Sequence, residues 1–210
     1  GYGGIAELYI FLGQPVAAQP YAEMKYRTGV EQGYPGVRSG GAVLLGWSLA
    51  QQNRVEEGIA LIEEGLKTEQ ALSLRVKQSW KYVLLAEAYL LAGCLTDAIT
   101  TLEQGIVAFT RYRDEIYAAD LWTTQGLALL ASGADIAQVE ACYATALNLA
   151  QELSAKTSEL RAATQLARLY QRQGRLSEGK QLLLPIYNWF SEGLDTRDLL
   201  AAKALLNDLV

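Results

Sequence analysis

Three arginines near the end of the chain have the types and the spacing to bind an anionic group. Arg161, Arg168 and Arg172 follow one another at steps of seven and four residues, so at least the first two share one face of a helix. A guanidinium can bind a carboxylate or a phosphate through two parallel hydrogen bonds. The alternative is a solvated surface, or pairing with Glu159 or Glu178, which contributes little.

The tryptophans are a second group of candidate binding residues, because aromatic side chains dominate the energetics of protein interfaces. They are Trp47, Trp80, Trp122 and Trp189. In a repeat protein such residues also pack between repeats, which is the alternative for each of them. We expect Trp80 to be the exposed one, because Lys77 and Lys81 lie close to it in the sequence.

Groups that could support catalysis or hold a metal are missing. The chain has no histidine, which removes histidine-based triads and most catalytic zinc sites. The acidic pairs at 56–57 and 63–64 predict a wet helix face, because calcium ligands converge from a tight turn. The glycines at 1–4 and 39–41 match no phosphate-binding loop. We therefore expect no enzyme activity, no catalytic residue, no cofactor and no metal.

The composition of the chain excludes some classes of partner and indicates the compartment in which the chain folds. The chain has 210 residues, is 50% apolar and carries a net charge of -5, so it folds and is a poor ligand for nucleic acid. Its apolar stretches are too short to span a membrane. Cys94 and Cys142 form no CxxC pair and are expected to be inert and partly buried, which favours a reducing, cytoplasmic location. The start at Gly1 without methionine suggests a fragment.

The sequence repeats itself with a period of about 40 residues. Turn-forming residues recur at this spacing, each after a run that is apolar at helical intervals: Gly13, Asn53, Gly93, Gly133 and Gly174. A second series, in the run that follows each turn, keeps the same period: Gly65, Gly105, Ala146 and Ile186. Two series in step indicate a repeat architecture.

Each repeat is predicted to be an antiparallel helix hairpin. In the third one, apolar residues recur at three- and four-residue steps up to the stop at Gly93, and Thr96 can cap the helix that follows. In the fifth, Ser177 is the corresponding cap. A hairpin hides one face of each helix, so successive hairpins must stack. The connection 112–117 is expected to begin the next helix near Asp114.

The motif residues of these hairpins resemble the tetratricopeptide (TPR) pattern. The first helices contain Leu45-Gly46-x-x-Leu49, Leu85-Ala86-x-x-Tyr89, Gln125-Gly126-x-x-Leu129 and Leu166-Ala167-x-x-Tyr170. The second helices contain Gly58-x-x-x-Ile62, Ala98-x-x-x-Leu102, Val139-x-x-x-Tyr143 and Gly179-x-x-x-Leu183. The chain departs from the pattern in its longer period, in its lack of the usual closing proline and in Val139, where alanine is expected.

The resemblance implies an all-α, right-handed α-α superhelix, or solenoid, of about five TPR-like hairpins with a C-terminal capping helix. The repeats would span about 1–35, 36–70, 71–110, 111–153 and 154–193, with the capping helix at 195–209. Asp195 would cap that helix and Asp198 would lie near its positive end. Counted back from Gly13, the first helix would begin before residue 1.

The prolines modify this scheme. Pro15 fits a helix start, Pro20 a kink or a late start, and Pro185 falls inside a second helix, which it should bend.

The resemblance also places a binding surface on the concave side, which first helices line. Candidate residues there are Trp47, Gln51, Trp80, Glu87, Arg161, Arg168 and Arg172. The last fifty residues further resemble the C-terminal TPR-like regions of large bacterial signalling ATPases of the STAND type, fused to cyclase or kinase modules.

These resemblances imply a regulatory protein-interaction module. Its partner would be a protein, a peptide or another domain of the same parent chain, with neither nucleic acid nor membrane involved. The alternative is a sensor that binds a small-molecule inducer in the groove. A homodimer through the exposed edge of the first repeat is compatible with both.

Overall fold

The computed structural model describes residues 1–112 and 117–209, and every regular element in them is a helix. Eleven helices are described: α1 (Tyr2–Phe11), α2 (Pro15–Glu31), α3 (Pro35–Ala50), α4 (Val55–Ala71), α5 (Gln78–Leu91), α6 (Leu95–Tyr112), α7 (Ala118–Ala131), α8 (Ile136–Glu152), α9 (Lys156–Arg172), α10 (Leu176–Asn188) and α11 (Arg197–Asp208). The expected all-α class is confirmed. The expected helix start near Asp114 lies outside the described residues.

The chain divides into two compact units, Gly1–Asp114 and Glu115–Val210. In the first unit, the hairpins α1–α2, α3–α4 and α5–α6 pack in succession, with α2 against α3 and α4 against α5. The second unit contains the hairpins α7–α8 and α9–α10, and α11 packs against both helices of the last hairpin. This arrangement confirms five hairpins and a final helix.

The turns within the hairpins have the left-handed backbone that the 40-residue series predicts. Gly13, Gly93, Gly133 and Gly174 have φ between 67° and 76°, and Asn53 has φ of 65°. Glycine adopts this conformation without a steric penalty, and asparagine is the best-tolerated alternative. The period of the sequence is therefore the period of the helix stops.

Four of the second helices are followed by a left-handed residue of a second series. Gly33, Ser73, Ser154 and Gly193 have φ between 54° and 66°, again at multiples of about 40 residues. Sequence reasoning missed this series because two of its members are serines, which give no conformational signal of their own.

The two helices of a hairpin cross where both have small residues. A Cβ atom added to Gly46 on α3 would lie 2.5 Å from the carbonyl oxygen of Gly58 on α4 and 2.7 Å from Ile62. The large residue that follows in each second helix is fully buried: Ile62, Leu102, Tyr143 and Leu183. The close approach of the backbones, which the motif residues predicted, is confirmed.

Three predicted helix caps were wrong by one or two residues. Thr96 and Ser177 lie inside the first turns of α6 and α10, which begin at Leu95 and Leu176. Thr196, rather than Asp195, occupies the N-cap position of the final helix, and its side chain makes no capping hydrogen bond. In α6 and α10 the helix begins one residue before the polar side chain that was expected to cap it. Asp198 does lie in the first turn of α11.

The prolines occupy the positions that their fixed φ allows. Pro15 is the first residue of α2, as expected, and Pro35 is the first of α3. Pro20 lies inside α2, so the late start considered for this helix is wrong. Pro185 lies inside α10 as predicted.

Candidate functional site

Two of the seven residues predicted for the binding surface are buried within the first unit. Trp47 is 3% exposed and Trp80 is 4% exposed, so the prediction that Trp80 is exposed was wrong. The two lysines that are close to Trp80 in the sequence do not make it exposed. Lys77 Nζ lies 6.0 Å from the Trp80 ring centroid, and Lys81 is itself buried and pairs with Glu69 at 2.5 Å.

Glu87 holds Trp47 in place. The indole Nε1 donates to Oε2 of Glu87 at 2.6 Å, which gives a buried donor a charged acceptor. The carboxylate is therefore engaged within the unit. Gln51 directly follows the end of α3, the helix that carries Trp47, and is half-buried.

Arg161 is part of a partly buried ion-pair network in the second unit. Its guanidinium donates to Asp198 Oδ2 at 2.6 Å and to Asp120 Oδ1 at 3.2 Å, and the Ser158 hydroxyl donates to Asp120 at 3.0 Å. Burial alone would lower the pKa of Arg161, but the two carboxylates raise it overall. The network joins α7, α9 and α11, so Arg161 stabilises this unit.

The carboxylates expected beside the arginines have other partners. Glu159 pairs with Lys156, and Glu178 pairs with Arg175. Arg168 is half-buried and Arg172 is exposed, and neither forms an ion pair within the described part of the chain. Their positive charges lower the pKa of the Tyr143 hydroxyl, but burial is the larger effect and raises that pKa to about 12.

Trp189 is the tryptophan that sequence reasoning failed to select. Its side chain is 60% exposed at the C-terminal end of α10. It lies edge-on to Phe190 at 5.1 Å, and Lys156 Nζ lies 5.7 Å from its ring centroid. The proline inside α10 was the available signal, because it predicts that the last turn of this helix departs from the regular packing.

A charged cluster in the first unit was also missed. Lys77 pairs with Glu7 at 2.5 Å, and Lys81 pairs with Glu69. Lys25 lies near all four of them, and burial lowers its pKa despite the two carboxylates. The cluster joins residues of α1, α2, α4 and α5. Its members are far apart in sequence, so no local pattern could reveal it.

The first unit also contains an open groove of about 610 Å³ between the end of α4, the start of α5 and α6. We call it the α4–α6 groove. The residues that line it are mostly polar: Gln70, Arg75, Gln78, Tyr82, Thr100, Glu103, Gln104, Val107, Ala108, Arg111 and Tyr112. The guanidinium carbons of Arg75 and Arg111 lie 5.4 Å and 5.5 Å from the centroid of the Tyr112 ring.

The described residues hold no group of three or more cysteine, aspartate or glutamate side chains that could bind a metal ion. Cys94 is exposed, which corrects the expectation of partial burial, and Cys142 is buried. Among the helices described, none is both long and apolar enough to cross a membrane.

Solved structures show what this arrangement of helices is similar to. BtubC (BKLC) from P. vanneervenii has a TM-score of 0.68 at 15% identity, over 94% of this chain and 89% of that one. A kinesin light chain from Podosopora anserina with nearly identical TPR-like repeats has a TM-score of 0.61 at 20% identity, over 88% and 91%. The apo form of RapI has a TM-score of 0.64 at 8% identity, over 98% and 79%.

No protein-family model matches the chain, and no curated protein matches it. The similar structures therefore establish a TPR-like repeat fold. They do not bear on the resemblance to bacterial signalling ATPases.

Proposed function

We propose that this chain is a protein-interaction scaffold without catalytic activity of its own. The observation that carries the proposal is the similarity to TPR-like repeat structures across nearly the whole chain. Stacked hairpins of this kind present extended surfaces for binding other proteins. The sequence has no histidine, which supports a binding role.

The first helices remain the proposed binding surface, with a smaller set of residues than the motifs suggested. Arg168 and Arg172 are one helical turn apart on α9 and have no competing carboxylate among the described residues. They are suited to an acidic group of a partner. Gln51 is the corresponding polar candidate in the first unit. Trp47, Trp80 and Arg161 support the surface from within.

Site-specific crosslinking tests the scaffold function. A photoreactive phenylalanine analogue at Gln51 or Arg172 should capture one defined protein in source cells, and the purified protein should then bind the purified chain. The matched control carries the analogue at Glu56, which is exposed on α4. A protein captured equally from all three positions, or one that fails to bind when purified, would contradict the proposal.

The finer proposal is that the chain is the regulatory C-terminal arm of a larger bacterial signalling ATPase, where partner engagement biases an attached catalytic domain. The sequence resemblance of the last fifty residues supports it. An antibody against this domain should detect a native polypeptide far above 23 kDa. A band near 23 kDa would indicate a stand-alone adaptor.

Two further possibilities, a small-molecule ligand and a homodimer, can be tested in solution. Calorimetry against a metabolite panel would reveal the small-molecule inducer considered from the sequence. Light scattering would reveal the homodimer.

A further inference from the structure

The α4–α6 groove carries two arginines with no carboxylate partner among the described residues. Arg75 lies in the connection that precedes α5, and Arg111 lies in the last turn of α6. Both are exposed, and both line the same groove of about 610 Å³. A groove of this size is within the range of ligand sites.

The Tyr112 ring positions both guanidinium groups. Each lies within 5.5 Å of the ring centroid, a distance at which a guanidinium is attracted to the aromatic face. Arg75 Nη1 donates to the Leu74 carbonyl oxygen at 3.5 Å, and a guanidinium has five N–H donors, so others remain for an anion. The ring therefore brings two guanidinium groups to one place in the groove.

We propose that the α4–α6 groove binds an acidic peptide segment of a protein partner, with its carboxylates on Arg75 and Arg111. This inference rests on the proposed scaffold function and specifies the chemistry of the partner. The chain as a whole carries a charge of -5, so two neighbouring arginines without a carboxylate partner among the described residues create a positive region on an acidic protein. Such a contrast favours binding of an acidic segment at this place.

The remaining lining residues suit a peptide backbone. Gln70, Gln104 and Thr100 offer both donors and acceptors to main-chain groups. The Tyr82 hydroxyl is protonated at neutral pH, and burial raises its pKa further, so it can donate to a carbonyl oxygen. Val107, which is 66% exposed, provides an apolar contact for one side chain.

Glu103 makes the charge of its part of the groove different from that of the part that holds the two arginines. It is the one carboxylate among the described lining residues, and it would repel an acidic side chain placed next to it. The acidic residues of the segment should therefore lie at the arginine end. Substitution of Glu103 should strengthen binding, because it removes this repulsion.

The test uses the full 210-residue chain and a fluorescein-labelled peptide of six glutamates as the probe, read by fluorescence anisotropy. We expect saturable binding of this probe and none of a six-glutamine peptide. Each of Arg75→Gln and Arg111→Gln should weaken it about five- to tenfold, because a charged hydrogen-bonding pair is lost. Glu103→Gln should strengthen it about twofold, and binding should weaken with added salt.

The matched control is Arg27→Gln, which removes the same charge from an exposed side chain of α2 that pairs with Glu31. It should leave binding unchanged. Equal weakening by this control would show general attraction to the chain and would overturn the proposal. So would displacement of the probe by inorganic phosphate at equal charge concentration, because that indicates a small-anion site.

Failure of this inference is distinguishable from failure of the scaffold function. A crosslinked partner that binds the Arg75→Gln, Arg111→Gln double variant as tightly as the parent chain would overturn the groove assignment and leave the scaffold function standing. Circular dichroism of the variants verifies their folding. Loss of probe binding with an unchanged spectrum is the expected result.

Discussion

Trp47 and Glu87 occupy corresponding positions of consecutive repeats and are joined by a direct hydrogen bond. The indole Nε1 of Trp47 on α3 donates to Oε2 of Glu87 on α5 at 2.6 Å, across a sequence separation of 40 residues. The same kind of contact recurs in the second unit, where Asp120 on α7 accepts from Arg161 on α9, 41 residues later. The repeat period thus brings corresponding side chains of neighbouring first helices into contact.

Loss of the Glu87 carboxylate should destabilise the first unit. Glu87→Ala leaves the buried Trp47 N–H without its charged acceptor, which costs about 1–3 kcal/mol of unfolding free energy. Urea denaturation followed by tryptophan fluorescence measures the effect. Glu56→Ala, on the exposed face of α4, should change the free energy by less than about 0.5 kcal/mol. Equal midpoints for the two variants would show that the hydrogen bond contributes nothing.

Two glycine substitutions should act in opposite directions. Gly46→Ala places a Cβ atom 2.5 Å from the Gly58 carbonyl oxygen, so α3 and α4 must separate, at a cost of about 1–3 kcal/mol. Gly4→Ala on α1 meets nothing within 4 Å and should stabilise by about 0.5–1 kcal/mol through helix propensity. Thermal melting compares them. Stabilisation by Gly46→Ala would contradict the close helix crossing.

The ion pairs around Arg161 should contribute more to the unfolding free energy of the second unit than an exposed ion pair does, because Asp120 is buried. Arg161→Met leaves Asp120, which is 8% exposed, without its cation, and removal of one partner from a buried pair costs about 3–5 kcal/mol. Arg197→Met removes an exposed arginine that also approaches Asp198, at 3.6 Å, and should cost less than about 1 kcal/mol. Chemical denaturation measures both. Similar losses of unfolding free energy in the two variants would mean that the Arg161 ion pairs contribute no more than exposed ones.

Tyr143 should make the second unit sensitive to alkaline pH. Burial raises the pKa of its hydroxyl from 10.0 to about 12, so the folded state keeps a proton that the unfolded chain releases. This stabilisation is complete below pH 10 and is lost as the pH rises towards 12. Denaturation midpoints between pH 9 and 12 should fall less steeply for Tyr143→Phe than for the parent chain.

Among the described residues, the Tyr143 hydroxyl has no hydrogen-bond partner, so Tyr143→Phe should be neutral or stabilising at pH 7. Tyr34→Phe, at a 58% exposed position, is the control and should keep the alkaline slope. Parallel slopes for the parent chain and Tyr143→Phe would contradict the assignment.

Local conformational requirements explain why so much of the fold could be predicted. A left-handed residue at a helix end favours glycine or asparagine, so Gly93 and Asn53 predict these turns from the sequence. A close helix crossing requires small residues such as Gly46. Where a serine has the same left-handed backbone conformation, as at Ser154, the residue type does not predict it. The caps at Thr96 and Ser177 were misplaced because helix ends depend on the geometry of the preceding turn.

The candidate site was less predictable because it depends on contacts between distant residues. Trp80 has lysine neighbours in sequence, yet it is buried, since exposure is set by the helices packed around it. Helical spacing related Arg161 to Arg168, but the partners of Arg161, Asp120 and Asp198, belong to other helices. The α4–α6 groove combines Arg75 with Arg111, 36 residues apart, and no local spacing relates them.

Isothermal titration calorimetry of the purified chain with the purified protein that crosslinks at Arg172 tests the scaffold function. We expect saturable binding of one partner with a micromolar or tighter dissociation constant, and weaker binding after Arg168→Gln and Arg172→Gln. No heat of binding with the purified partner, or a metabolite that binds in its place, would contradict the assignment of this TPR-like chain as a protein-interaction scaffold.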